Sequence, residues 1–246
     1  MNNEQLTSNN DHRPATSNQQ PTTNNQLPIT TVIFDMDGLM VDTEPLARRA
    51  WDAVLAEHGY AMDDAVYANM VGRRSDESGQ MVLDAYPLPL SRDALIAQKT
   101  KHFRVMLAHG APVMPGLHEL VAELEQRSIP WGVATSSPRT HAAIILEQLG
   151  LTAVCQAIAA GDEVAQGKPA PDIYQLAAQR MGVSAAQCVA LEDSAPGCRA
   201  AIAAGMRGVA VPNGHTTPAD FTFAHFVMPS LREVAARLDE LLAADS

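Results

Sequence analysis

The chain has 246 residues, with Lys+Arg 17 against Asp+Glu 28, a formal net charge of -11, 46% hydrophobic and 18% charged residues. That charge repels a nucleic-acid backbone unless basic residues cluster on one face, and they do not; no run approaches the roughly 20 apolar residues that cross a bilayer. Three cysteines, Cys155, Cys188 and Cys198, without CxxC spacing, argue against a disulfide framework and a zinc site, and a reducing cytoplasm fits them best.

Residues 1–28 are Asn, Gln, Thr, Ser and Pro with almost nothing apolar, so the sequence predicts a disordered polar tail without the apolar core of a secretory signal. Order is expected to begin at Ile29–Asp35, whose uninterrupted apolar, β-branched character marks a strand buried on both faces. The strand leads into Asp35-Met36-Asp37-Gly38. Two carboxylates two residues apart on extended backbone share one face, at the strand terminus where α/β sheets bind ligands. The same residues also read as an acidic turn closed by Gly38. A calcium loop is excluded because Met40 and Leu46 stand where Gly and the bidentate Glu are required.

From residue 45 to 110 the pattern is helix after helix: Pro45–His58, Asp63–Val71, Ser75–Asp84 and Ser91–His109. Such a stretch is too long for a loop and suits a small helical bundle inserted after the first strand. Beyond it strand and helix alternate. Trp131–Ala134, Val154–Ala159, Cys188–Leu191, Gly208–Val211 and Phe226–Met228 read as strands; Gly116–Arg127, Pro138–Leu149, Pro171–Met181, Ala195–Ala204 and Leu231–Leu242 read as helices. This predicts an α/β fold with a doubly wound parallel sheet, its core formed by 29–44 and 111–246 and its helical cap by 45–110.

Three further segments carry polar groups at strand ends. Thr135-Ser136-Ser137-Pro138 reads as a helix start with Ser137 as N-cap and Pro138 at the first helical position, yet a helix N-terminus there could also hold phosphate through Thr135. Lys168, fixed by Pro169 outside helical geometry, is either a solvated lysine or an ammonium aimed at the sheet edge. Glu192-Asp193-Ser194 offers a helix cap or, with Asp35, hard oxygen ligands for magnesium. Together these segments supply a nucleophile, a proton donor, a metal cradle and cationic donors after four different core strands.

In that order and spacing the motifs resemble the haloacid dehalogenase superfamily, in its branch of beta-phosphoglucomutases and sugar-phosphate phosphatases with a helical cap. The first motif matches Asp35-Met36-Asp37-Gly38 with Asp42-Thr43-Glu44-Pro45, the second Thr135, the third Lys168-Pro169 and the fourth Glu192-Asp193. The resemblance implies a Mg2+-dependent phosphatase of a small phosphorylated metabolite. In it Asp35 attacks phosphorus to form an aspartyl-phosphate, while Asp37 serves as acid and then base. Mg2+ is held by Asp35, the backbone carbonyl of Asp37, Asp193 and Glu192, the last directly or through water. Gly38, Thr135, Ser136 and Lys168 bind the phosphoryl oxygens, and Arg73 and Arg74 of the cap meet the leaving group.

Departures from the family pattern select among its reactions. Mutases carry a His in the helix after the first motif where this chain has Ala47, which favours hydrolysis over intramolecular transfer. Asp37 itself argues against a dehalogenase. Lys99 and Lys101 lie late in the cap, but nothing in their sequence context marks the depressed pKa of a Schiff-base lysine. A beta-phosphoglucomutase-type transferase, a pseudouridine-5'-phosphatase-like nucleotidase and, from a different class, a phospho-acceptor signalling domain remain alternatives. The expected partner is a small phosphate ester, with no nucleic acid or membrane, and a monomer fits the acidic surface.

Overall fold

The structure is a computed structural model that describes residues 28–71, 73, 75–214 and 216–243. The expected tail, apart from Pro28, and Arg74 lie outside the described residues. Six parallel strands form one sheet: β1 (Thr31–Phe34), β2 (Trp131–Thr135), β3 (Ile158–Ala160), β4 (Cys188–Glu192), β5 (Arg207–Ala210) and β6 (Phe226–Val227), in the order β3-β2-β1-β4-β5-β6. The period of two along each strand sorts side chains between two cores. Val32 and Phe34 pack with Trp131, Val133, Val189 and Leu191 on one face. Ile33 faces the other side with Ala134, Ala159, Cys188 and Ala190. This second face is built largely of alanine, which lets helix backbones approach closely.

Between β1 and β2 the chain forms α1 (Glu44–Ala56), α2 (Asp64–Met70), α3 (Ser75–Ala85) and α4 (Arg92–Leu107). These four have their own apolar cluster of Trp51, Val54, Leu55, Met62, Met70, Val82 and Leu95. The end of α4 is tied to the sheet-packing helices by Gln148, whose Nε2 donates to the Leu107 carbonyl at 2.7 Å.

The sheet is covered by α5 (Leu117–Gln126), α6 (Arg139–Gln148), α7 (Asp172–Met181), α8 (Ala195–Ala203), α9 (Leu231–Ala236) and α10 (Leu238–Leu242). The single terminal helix expected from the sequence is broken at Arg237, whose φ of -113° and ψ of 23° leave the helical region. Strand β3 starts later than expected because Val154 and Cys155 donate their amides to the Leu151 carbonyl in a turn. None of the described helices is long and apolar enough to cross a membrane. With β2 on one flank and β4 on the other, β1 ends at the crevice where the winding of the sheet reverses.

Candidate active site

At that crevice a cavity of about 340 Å3 is lined by Asp35, Asp37, Lys168 and Asp193 from the sheet side and by Glu44, Ala47, Arg73 and Lys99 from the helical insertion. Asp35 directly follows β1, is 5% exposed, and its amide donates to the Leu191 carbonyl at 2.9 Å, which extends the pairing with β4. Two residues on, Asp37 makes an isolated bridge with Val41, and the intervening turn is closed by Gly38 at φ 89°. A Cβ on Gly38 would lie 2.1 Å from Asp193 Oδ2, so only glycine lets this turn press against the fourth motif.

Both oxygens of Asp37 accept from hydroxyls: Oδ1 from Thr43 at 2.8 Å and Oδ2 from Thr135 at 2.9 Å. Thr43 occupies the N-cap position of α1 yet makes no side-chain cap, because its hydroxyl is committed to Asp37. Thr135 is fully buried and its hydroxyl also accepts the Ser137 amide at 3.0 Å. Its hydroxyl is thus used to orient Asp37, while Ser136, Ser137 and Pro138 line the cavity. Helix α6 starts one residue later than the sequence predicts, with Pro138 rather than Ser137 as N-cap.

Lys168 follows β3, and its side chain is 4% exposed. Its ammonium donates to Asp35 Oδ1 at 2.5 Å, to Glu192 Oε1 at 2.6 Å and to the Ala134 carbonyl at 3.1 Å. Burial pulls its pKa down, but the two carboxylates outweigh burial and hold the ammonium charged. Glu192, at the end of β4 and fully buried, also accepts the Tyr174 hydroxyl at 2.6 Å on Oε1. Its Oε2 accepts the Ser194 amide at 3.3 Å and hydroxyl at 2.9 Å. Gly197 makes room for this carboxylate, since a Cβ there would lie 1.9 Å from Oε1. Glu192 and Gly38 contribute from behind the cavity wall.

Ser194, and not Asp193, caps α8 by accepting the Gly197 amide at 3.2 Å, which leaves Asp193 facing the cavity. Asn213 donates from Nδ2 to Asp193 Oδ2 at 2.7 Å and to the Gly38 carbonyl at 3.0 Å, pinning two motifs to one another. Carboxylate oxygens of Asp35, Glu192 and Asp193 all lie within 4.8 Å of one another. Burial foremost raises the pKa of Asp35 and of Asp193; for Asp35, Lys168 opposes that rise and the other carboxylates add to it. Three clustered, desolvated carboxylates against one lysine are a hard-oxygen donor set short of positive charge, and they fit a divalent cation.

From the helical side Lys99 reaches the cavity, a contribution that its sequence context did not signal. Its ammonium rests over the rings of Phe103, 4.6 Å from the centroid, and Trp51, at 5.8 Å. Burial lowers its pKa, opposed by Asp37 and Glu44. Arg73 lines the cavity but holds its Nε on the Asn69 carbonyl at 2.7 Å and its Nη1 3.5 Å from Glu77. The structure thus brings Asp35, Asp37, Ser136, Lys168, Asp193 and Arg73 to one cavity, with Gly38, Thr135 and Glu192 directly behind it. Tyr174, Asn213, Lys99 and His141 join the site as residues outside the motifs, and Thr43, part of the first motif's continuation, joins it in a role that the motif alone did not assign.

A model of a family described as haloacid dehalogenase-like hydrolase matches residues 29–205. The fructose-1-phosphate phosphatase YqaB of Escherichia coli (strain K12) is 39% identical over 180 residues, which span 73% of this chain and 95% of that protein. A phosphoglycolate phosphatase of Xanthomonas campestris pv. campestris (strain 8004) is 33% identical over 184 residues, 75% of this chain and 83% of that protein. The crystal structure of CbbY from Rhodobacter sphaeroides in complex with phosphate has a TM-score of 0.77 at 32% identity, covering 84% of this chain and 96% of that one.

Proposed function

Because the chain belongs to the haloacid dehalogenase-like hydrolases, we propose that it is a Mg2+-dependent phosphatase of a small phosphorylated metabolite, a sugar phosphate or similar phosphomonoester. The observation that carries this reading is the pairing of two differently held carboxylates on one cavity: Asp35 against Lys168, and Asp37 against two hydroxyls. Asp35 forms a bond to phosphorus as the bond to the ester oxygen breaks, and Asp37 gives that oxygen a proton. Asp37 then takes a proton from water, the water oxygen bonds to phosphorus, and Asp35 is released with inorganic phosphate. Lys168 and the backbone around Ser136 hold the phosphoryl oxygens. Asp35, Asp193, the Asp37 carbonyl and Glu192 would hold the cation, which neutralises phosphoryl charge when bound.

The four helices between β1 and β2 act as the cap that excludes water and meets the leaving group. Ala47 lines the cavity where a mutase places its histidine, which supports transfer to water rather than to a second sugar hydroxyl. Release of inorganic phosphate from a panel of phosphorylated metabolites, with and without EDTA, tests the reading. Metal-dependent turnover that disappears in Asp35→Asn is expected. Absence of release, conversion of one sugar phosphate into its isomer, or a single long-lived phosphorylation would overturn it.

A further inference from the structure

Neither Asn213 nor Thr216 belongs to a motif, yet both grip Asp193 from just after β5. The Thr216 hydroxyl donates to the Asp193 carbonyl at 2.9 Å and accepts the Asn213 amide at 3.2 Å, while the Thr216 amide donates to the Asn213 carbonyl at 3.3 Å. This closed turn sets the Asn213 side chain against the Asp193 carboxylate. Its Nδ2 donates to Asp193 Oδ2 at 2.7 Å and to the Gly38 carbonyl at 3.0 Å. Both partner oxygens accept, so chemistry fixes which end of the Asn213 amide faces them. Oδ2 is also the oxygen against which the Gly38 turn is pressed, since a Cβ on Gly38 would lie 2.1 Å from it.

The other two carboxylates of the cluster have oxygens engaged elsewhere. Asp35 Oδ1 accepts the Lys168 ammonium, and Glu192 accepts Lys168 and Tyr174 on Oε1 and Ser194 on Oε2. For Asp193 the corresponding donor is Asn213. We propose that Asn213 holds Asp193 to coordination through Oδ1 alone and thereby sets the preference of the site for Mg2+ over Ca2+. This deepens the phosphatase reading and rests on it. Mg2+ demands near-ideal octahedral geometry, which one oxygen per carboxylate suits, whereas the larger Ca2+ takes more oxygens and accepts bidentate carboxylates. An amide nitrogen on Oδ2 withholds the second oxygen of Asp193, so it costs Ca2+ a ligand and Mg2+ none. Asn213 is a positioning residue in this assignment, acting on the cation through Asp193.

The test measures the Kd of Mg2+ and of Ca2+ by isothermal titration calorimetry on the full chain, without substrate. In Asn213→Ala and Asn213→Leu the preference for Mg2+ over Ca2+ is expected to fall on the order of 10-fold, because one charge-assisted hydrogen bond no longer occupies Oδ2. Thr216→Val, which loosens the same turn but keeps the Nδ2 donor, is expected to hold the wild-type ratio even where both affinities drop. Thermal unfolding in EDTA identifies which Asn213 variant is folded, and either one suffices. An unchanged ratio in a folded Asn213 variant, an equal fall in Thr216→Val, or a wild-type protein that binds both cations equally overturns the proposal, while metal-dependent phosphate release keeps the phosphatase reading. The expected shift in ratio from a protein that hydrolyses no ester overturns that reading instead.

Discussion

The Thr135 hydroxyl stands between Asp37 and the start of α6, donating to Asp37 Oδ2 at 2.9 Å and accepting the Ser137 amide at 3.0 Å. A residue whose position in the second motif suggests a phosphate contact is here the support that aims the Asp37 carboxylate, the proposed acid and base. Thr43 does the same from the other side. The roles of the motifs are therefore interlocked, with one motif positioning the working group of another.

Thr135→Val keeps the shape of the side chain and removes the hydrogen bond to Asp37. Its effect should fall on kcat rather than KM, with a loss of about 10-fold, and Thr135→Ser should retain most of the activity. Asp37→Asn should cost about 10²- to 10⁴-fold in kcat. Steady-state kinetics on one good substrate check the series; a Thr135→Val effect confined to KM would return Thr135 to direct phosphate binding.

Cation binding can be read without turnover. Mg2+ should raise the melting temperature of the wild-type protein, by about 2.7 kcal/mol of added stability at 100 times Kd, and EDTA should reverse it. Asp193→Asn should abolish the shift. Gly38→Ala should abolish it as well, because the added Cβ meets Asp193 Oδ2 at 2.1 Å and Asn213 Nδ2 at 2.9 Å on a backbone at φ 89°. A Mg2+-induced shift of wild-type size in both variants would show that the cation sits elsewhere.

The Glu192 network should be visible in stability. Tyr174→Phe deletes one of two donors to Oε1 and should cost about 1 kcal/mol in urea unfolding. Glu192→Gln breaks a buried pair with Lys168 and should cost about 3 kcal/mol or more. Equal costs would mean that the ion pair contributes no more than a neutral hydrogen bond.

Acid sensitivity should have a component from His141. Burial first, then Lys99, lower its pKa from 6.5, with Arg104 acting in the same direction and Asp37 and Asp162 opposing. Below that value the unfolded chain binds a proton that the folded chain resists, so the unfolding free energy rises with pH through this window and falls on acidification. Urea titrations across the window should show a shallower slope in His141→Phe, and an identical slope would remove His141 from the account.

Much of the sheet was legible because continuous apolar runs such as Thr31–Phe34 and Cys188–Leu191 have few ways to be buried other than as central strands. The motif carboxylates and Lys168 were legible because they fall at strand ends, where position alone predicts convergence. Lys99 and His141 were not. Each sits in a helix with no local mark of function, and what brings them to the cavity, the packing of α4 on α1 for the Lys99 ammonium and of α6 on α4 for the His141 ring, exists only in the folded chain. The start of α6 was misread by one residue because Ser137 makes a good N-cap on paper, whereas the fold uses its amide to hold Thr135.

The strand order has a temporal side. β1 is made early, yet one of the two strands that flank it, β4, comes from the far half of the chain, as do Lys168, Asp193 and Asn213. A ribosome-bound fragment ending before Lys168 would display Asp35 and Asp37 on an open sheet edge with neither the lysine nor the fourth motif beside them. Catalytic competence is therefore a property of the finished polypeptide, and synthesis carries the molecule from inert to active in a single late step.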